Sequence, residues 1–317
     1  MQVDRPSPTN IRSSLMLETL AEMIRPRSFA ASITRIEMSR PGDEAPAHVA
    51  VGSDAVGLVP LVARGEIDVS TLNPSGILTA AYLGTGPFPE AYPLRAVAVI
   101  PSRDWMAFAV SKSCGLRSLA DIKAKRFPLR VSVRADRTNV THLYIHEVLK
   151  AYGFSLDDVV SWGGSVSYDP GVPFMPERAG RARAGEVDAI FDEGVTRFIP
   201  MLDELNMELL PVDEDVLAKM DALGLHRATL PRALFPNLPV DVPTLDFSGW
   251  PVYTSVHASD DFIYEFCRAL DVRRAHIIWQ QPGPLPIGDM CRDTPSAPLR
   301  IPLHPAAERY WTDAGYL

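Results

Sequence analysis

Two stretches, GEIDVSTLNPSG at residues 65–76 and GEVDAIFDEG at residues 185–194, carry one pattern and decide the fold. Each reads as the end of a helix, a glycine cap, a short acidic step, a buried strand and a polar loop. Gly65 and Gly185 suit the left-handed turn that closes a helix. Ile67, Asp68 and Val69 in the first copy, and residues 187–191 in the second, are short β-prone runs suited to parallel strands. The polar residues that follow then fall at the carboxyl edge of a sheet, where open α/β folds hold ligands. A chain that builds this edge twice is expected to build two walls of one cleft.

The rest of the chain alternates strands and helices around these two copies. Ahead of the first copy stand a helix at 10–25, strands at 32–38 and 48–51, and a helix carrying Val56, Val59 and Val62. After it come a helix at 77–83 and two apolar strands, 94–100 and 106–110, separated by PSRDW, which reads as the crossing between lobes. The second lobe repeats the logic: a helix at 119–125, a strand at 129–133, the loop RADRTN at 134–139, and a helix at 140–152. A turn, SWGGSVS, and a helix at 176–184 lead into the second copy. Residues 201–223 read as mostly helical. The proline-rich stretch 229–251 reads as an irregular connector packed across lobe 1, and 260–270 as a helix. The expected fold is α/β with two lobes, each a mostly parallel sheet flanked by helices. Residues 1–104 form the first part of lobe 1, 105–212 form lobe 2, and 213–317 return to lobe 1. The lobes are expected to close about a hinge near 101–106 and a return strand within 209–212.

Length and composition fit this organisation. A chain of 317 residues, 46% hydrophobic and 22% charged, is long enough for two cores. The net charge of -8, with no basic tract to offset it, argues against a nucleic-acid or anionic-membrane binder. Cys114, Cys267 and Cys291 lie far apart without CxxC spacing and read as free or buried thiols, with at most one disulfide among them.

No GxSxG elbow, P-loop or HExxH is present, so no catalytic machinery is visible and no cofactor is expected. His142 and His146 are four apart on one helix, but a helix with two histidines is more often only a helix, and no metal site is assigned. Groups suited to binding are easier to find. Thr138 and Asn139 stand ahead of a helix whose N-terminus favours an anion, and Arg134 or Arg137 offers a bidentate contact. Ser53 sits in a similar strand-to-helix turn beside Asp54, whose role is to cap the helix. Asn73 and Ser75 end the first copy in neutral polar groups, whereas Asp192 and Glu193 end the second in charge. The ligand-binding set is therefore Ser53, Asn73, Ser75, Arg134, Thr138, Asn139 and Glu193. An anion would lean on the helix N-termini, and a ligand bearing an amine as well, such as an amino acid, would suit both walls.

Several segments, in order, resemble one family. ARGEIDVSTLNPSGILTAAYLGTGPF, LRAVAVIP, SLADIKAKRFPLRVSV, AGEVDAIFDEGV and the closing LHPAAERYWTDAGYL are similar to the solute-binding receptors of tripartite (TRAP-type) transporters of the TAXI class. The resemblance implies a periplasmic-binding-protein-like fold of type II. It also implies capture of a small carboxylate or amino acid, membrane transporter subunits as partners, and a periplasmic location. Ala124 replaces the family's usual glycine, and RADRTN replaces a loop that is typically rich in Gly and Ser. The family begins with a strand behind a signal peptide, whereas here MQVDRPSPT precedes the first helix; if the chain as given is complete, the location is cytoplasmic. The alternative function is an enzyme on the same fold, thiamine-pyrimidine-synthase-like or decarboxylase-like, acting on a small metabolite.

Overall fold

The computed structural model describes residues 8–24, 33–39, 42, 45–52 and 54–317. The first part of the chain contains α1 (Pro8–Met23), β1 (Ile33–Met38), β2 (Ala47–Gly52), α2 (Ala55–Ala63), β3 (Val69–Thr71), α3 (Ser75–Leu83) and β4 (Leu94–Ile100). The chain then crosses into β5 (Ala107–Ser111), α4 (Leu119–Ala124), β6 (Arg130–Arg134), α5 (Thr141–Ala151), α6 (Leu156–Ser161), β7 (Ser165–Asp169), α7 (Pro176–Arg183), β8 (Ala189–Asp192), α8 (Val195–Phe198) and β9 (Met207–Leu209). It returns through α9 (Glu214–Ala222), β10 (Arg227–Leu230), β11 (Val242–Leu245) and β12 (Trp250–Ser255), and ends in α10 (Asp260–Arg273), α11 (Ile287–Met290) and α12 (Pro305–Asp313).

Two five-stranded sheets result, β1-β2-β3-β12-β4 and β7-β6-β8-β5-β9, each the centre of one α/β lobe. The sheets are mixed rather than mostly parallel. Only β2–β3, β6–β7 and β6–β8 run parallel among the described pairs, while β5, β9 and β12 lie antiparallel to their neighbours. The cause is the route of the chain. It passes from β4 straight into β5 and comes back through β9 and β12, so these strands run against the βαβ strands beside them.

The doubled pattern explains how each lobe sets its register. In both copies the glycine is left-handed, with φ of 73° at Gly65 and 66° at Gly185. Gly65 and Glu66 donate N–H to the carbonyls of Val62 and Leu61, and Gly185 and Glu186 to those of Ala182 and Arg181. This is the double closure of a Schellman cap. The acidic step then pins the neighbouring strand. Asp68 donates its N–H to the His48 carbonyl (2.8 Å) and its carboxylate accepts the His48 N–H (2.7 Å). Asp188 does the same to Arg130, at 2.8 and 3.0 Å, and adds a bidentate pair with the Arg130 guanidinium at 2.6 and 2.9 Å. Each aspartate thus occupies the position just ahead of the first paired residues, Val49↔Val69 and Val131↔Ala189. That is why both strands begin two residues later than their hydrophobic runs suggest.

The Arg130 hydrogen bond holds the Asp188 carboxyl below its ordinary value of 3.8, against the opposing pull of burial. Such a group stabilises the fold above its unfolded-state pKa, and the contribution disappears as pH falls through the depressed folded value. Asp188→Ala is expected to lower stability at neutral pH by roughly 1–3 kcal/mol. The gap to wild type should narrow in acid. Urea midpoints at pH 7 and below pH 4 check both parts; an equal gap at the two pH values refutes the assignment.

Alternation on the central strands divides the core. Phe108, Val110, Ala189 and Phe191 face an apolar cluster that runs continuously from α2 and α3 to α5, joined by Leu217, Met220 and Leu225 of the return segment. Ala107, Ala109 and Ile190 face the outer side of the second sheet with Val195, Phe198 and Leu202. The outer side of the first sheet packs Val97, Ala98 and Val252 against Ile263 of α10 and Trp311 of α12.

The structure corrects three expectations. The turn SWGGSVS contains the start of β7, because its Ser-Val-Ser alternation pairs with β6. Residues 201–223 are not mostly helical: β9 closes the edge of the second sheet, and helix resumes only at Glu214. The connector is irregular only between its strands, and its first part packs on the second lobe rather than across lobe 1. It forms the β10–β11 hairpin, and its Leu230, Phe235, Leu238 and Val242 cover the outer face of the second sheet, with Phe235 edge-on to Trp105 at 5.8 Å.

Candidate functional site

The two lobes meet where α3 and α5 begin. α3 starts behind the cis Asn73–Pro74 peptide with no side-chain cap. Ser75 donates its N–H to the Ser248 carbonyl at 3.1 Å, and Gly249, left-handed with φ of 79°, lies flush against the Ser75 hydroxyl. A side chain there would meet that hydroxyl and Pro298, so glycine is what permits the close approach. From the other lobe, Tyr144 of α5 brings its hydroxyl against the Cα of Gly76 and stacks edge-on against Phe247 at 5.1 Å.

Four side-chain oxygens in the segments that begin α3 and α5 are fully enclosed and without a hydrogen-bond partner: Asn73 Oδ1, Ser75 Oγ, Thr141 Oγ1 and Tyr144 OH. Two come from each lobe. Buried polar groups are nearly always satisfied, so these four are candidates for contact with a further polar group. The three hydroxyls can each donate, as an oxyanion requires. Burial holds the Tyr144 phenol well above its usual range, so it stays protonated and available as a donor.

The second-lobe wall is a charged lattice. Asp192, fully buried at the tip of β8, lies between two guanidinium groups. Arg134 reaches it through Nε and Nη2 (3.2 and 2.6 Å) and also pairs with Glu193. Arg178, 1% exposed, pairs with Asp192 from α7 and donates to the Ser132 hydroxyl, the Ser132 carbonyl and the Gly171 carbonyl. Burial works to lower the Arg134 pKa, but the charges of Asp192 and Glu193 outweigh it and hold the guanidinium ionised.

Asp104, in the crossing between β4 and β5, connects the two walls. Its N–H donates to Ser248 Oγ at 3.1 Å, and its carbonyl accepts from Ser248 Oγ and the Phe247 N–H, both at 3.0 Å. Its carboxyl accepts the N–H groups of Gly194 and Val195, each at 3.1 Å.

The sequence-derived residues fare unevenly. Asn73 and Ser75 stand at the boundary with free polar atoms. Glu193 is on the opposite wall, but engaged by Arg134. Arg134 does not stand free as an anion clamp, because two carboxylates already occupy it. Thr138 is exposed and donates its N–H and hydroxyl to Asp136, and Asn139 Oδ1 accepts the Thr141 N–H; both residues serve the turn into α5. The open hydroxyls of this helix belong to Thr141 and Tyr144, two and five residues beyond Asn139. Ser53 lies outside the described residues. His142 Nε2 contacts the Arg134 carbonyl at 2.8 Å and His146 is exposed; among the described residues no group of three or more His, Cys, Asp or Glu side chains is placed to hold a metal. Sequence reasoning missed Asp104, Thr141 and Tyr144. PSRDW signalled only a crossing, and a tyrosine inside an amphipathic helix reads as core.

Two α/β lobes that meet at a polar boundary place the chain in the class of two-lobed α/β proteins. Residues 30–315 match the NMT1-like family, and the chain belongs to it. Among solved structures, the chain is similar to one described as a periplasmic transporter (14% identity, 70% of this chain and 69% of that one, TM-score 0.34). It is similar to an ancestral arginine-binding protein bound to arginine (13% identity, 70% and 73%, TM-score 0.31). A third is the binding protein component of an ABC phosphonate transporter from Pseudomonas aeruginosa (12% identity, 82% and 69%, TM-score 0.36). At TM-scores this low the likeness carries no weight of its own. Among the described residues no helix is long and apolar enough to cross a membrane.

Proposed function

We propose that the chain is a solute-binding receptor that closes its two lobes on a small organic acid or amino acid and presents it to a TRAP-type transporter of the TAXI class in the periplasm. Four buried, partnerless oxygens shared equally between the lobes carry this proposal, since a ligand oxyanion accepting from Ser75, Thr141 and Tyr144 would satisfy donors that neither lobe satisfies alone. Family membership and the ordered segments that resemble TAXI receptors agree with it. Arg134 and Arg178 then serve as scaffolding for the second wall, and the acid group of the ligand lies on the α3 and α5 side. The crossings at 101–106 and 209–212 are the hinge in this proposal; lobe 2 is 105–212 together with the β10–β11 segment that covers its sheet, and the remainder forms lobe 1.

The test is a thermal-shift screen of carboxylates, amino acids and sulfonates. A true ligand at a hundred times its Kd should add about 2.7 kcal/mol to the folding free energy. Ser75→Ala and Thr141→Val should each weaken that response. A panel in which no compound moves the midpoint would sink the proposal.

A further inference from the structure

The first sheet ends on β1. Among the described pairs β1 meets only β2, and five of its six residues are exposed. Ile36 and Met38 are 37% and 43% exposed, and Val51, on the same face of β2, is 44% exposed. That face is the one on which α10 and α12 pack, since Val49, opposite Ile36, packs against their cluster. α1 lies on the same side, where Glu18 pairs with Arg273 at the end of α10. Met16, Leu17, Leu20, Met23 and Ile24 follow helical spacing along α1 and the residue after it, and all five are exposed. A monomer rarely leaves so many large apolar side chains bare on consecutive elements, and an unpaired edge strand is a template for another strand.

We propose that the partner of this edge is a second copy of the chain, whose β1 pairs antiparallel with the first across a two-fold axis at Ile36, so that the two first sheets become one. The charges of the strand, ITRIEM at 33–38, select this register. A two-fold axis perpendicular to the sheet keeps every side chain on its own face, so it passes through a residue rather than between neighbours. With the axis at Ile36, Arg35 of each copy stands opposite Glu37 of the other, and symmetry makes two such pairs. Moving the axis to Arg35 or Glu37 sets like charges against each other, and moving it further leaves less of the strand paired. Both charges are available. Glu37 has the His48 imidazole beside it at 3.5 Å, and among the described residues Arg35 has no carboxylate partner. The apolar face of the joined strands and the α1 stripe then lie on one side of the interface, where each can cover the other. This inference does not rest on the solute-binding proposal.

Sedimentation equilibrium over a range of protein concentrations tests the pairing. Wild type should approach twice the 34.8 kDa mass of the chain as concentration rises. Arg35→Glu and Glu37→Arg each turn two symmetry-related attractive pairs into repulsive ones, and each should raise the dimer dissociation constant by about tenfold or more. The double variant Arg35→Glu/Glu37→Arg puts opposite charges back in the same register and should recover wild-type association, which a variant damaged in folding would not do. Wild type that stays at 34.8 kDa throughout would overturn the dimer and leave the apolar face to a different partner. A single variant that associates as wild type does, or a double variant as weak as the single ones, would overturn it as well.

Discussion

Arg178→Met is expected to cost roughly 3–5 kcal/mol of stability, the range for removing one partner of a buried ion pair. Both side chains of the Arg178–Asp192 pair are wholly enclosed. Without the guanidinium, Asp192 keeps Arg134 and the Glu193 N–H, and the carbonyls of Ser132 and Gly171 lose a buried donor. The loss should be larger than that of Arg134→Met, because Arg134 is 13% exposed at its side chain and water can replace part of what it supplies. Equilibrium urea unfolding of the two variants decides the matter, and equal destabilisation would show that Asp192 is not the centre of the lattice. Arg178 lines no surface, so the effect belongs to folding of the second lobe rather than to ligand contact.

Gly76→Ala should strike at closure instead. A methyl group at this position runs into the Tyr144 hydroxyl and stands 3.2 Å from the Gly224 carbonyl. Neither neighbour yields easily. Tyr144 is fully buried, and Gly224, with φ of 84°, packs its own Cα against the Ala80 backbone of α3. Alanine itself favours a helix by about 1 kcal/mol over glycine, so intrinsic propensity would predict a gain. Overpacking of about 1–3 kcal/mol outweighs it. Under the solute-binding proposal the closed arrangement bears that strain, so affinity for a compound identified by the screen should drop by about tenfold or more, equivalent to about 1.4 kcal/mol. Adding Tyr144→Phe removes the offending oxygen and should restore part of the closure, at the expense of one ligand donor. Wild-type affinity in Gly76→Ala would show that the α3–α5 contact is not part of the closed state.

Much of the scaffold was legible because it depends on local chemistry. Gly65 and Gly185 had to be left-handed, and apolar runs such as 94–100 had to be strands. The mixed sheets were not legible, since strand direction is set by where the chain crosses and returns, which no window of residues records. The hairpin of β10 and β11 was hidden for another reason. Its prolines argue against strand, but Pro243 sits on a two-stranded ribbon where it can accept from the Val212 N–H without having to donate.

The site divides along the same line. Sequence by itself determined the doubled helix–cap–acid–strand unit, the placing of Asn73 and Ser75 after the first strand, and the charge of Asp192 and Glu193 after the second. Each follows from backbone geometry within about ten residues. Tertiary structure decided which of these groups are free. Arg134 looks like an anion clamp until Asp192 and Glu193 are seen to occupy it, 58 and 59 residues further along. Thr138 and Asn139 look like ligand donors until their own turn consumes them. Thr141 and Tyr144 look like core, yet their hydroxyls are buried without partners. Hydrogen-bonding capacity belongs to a residue type, but availability depends on neighbours that only the folded chain brings together.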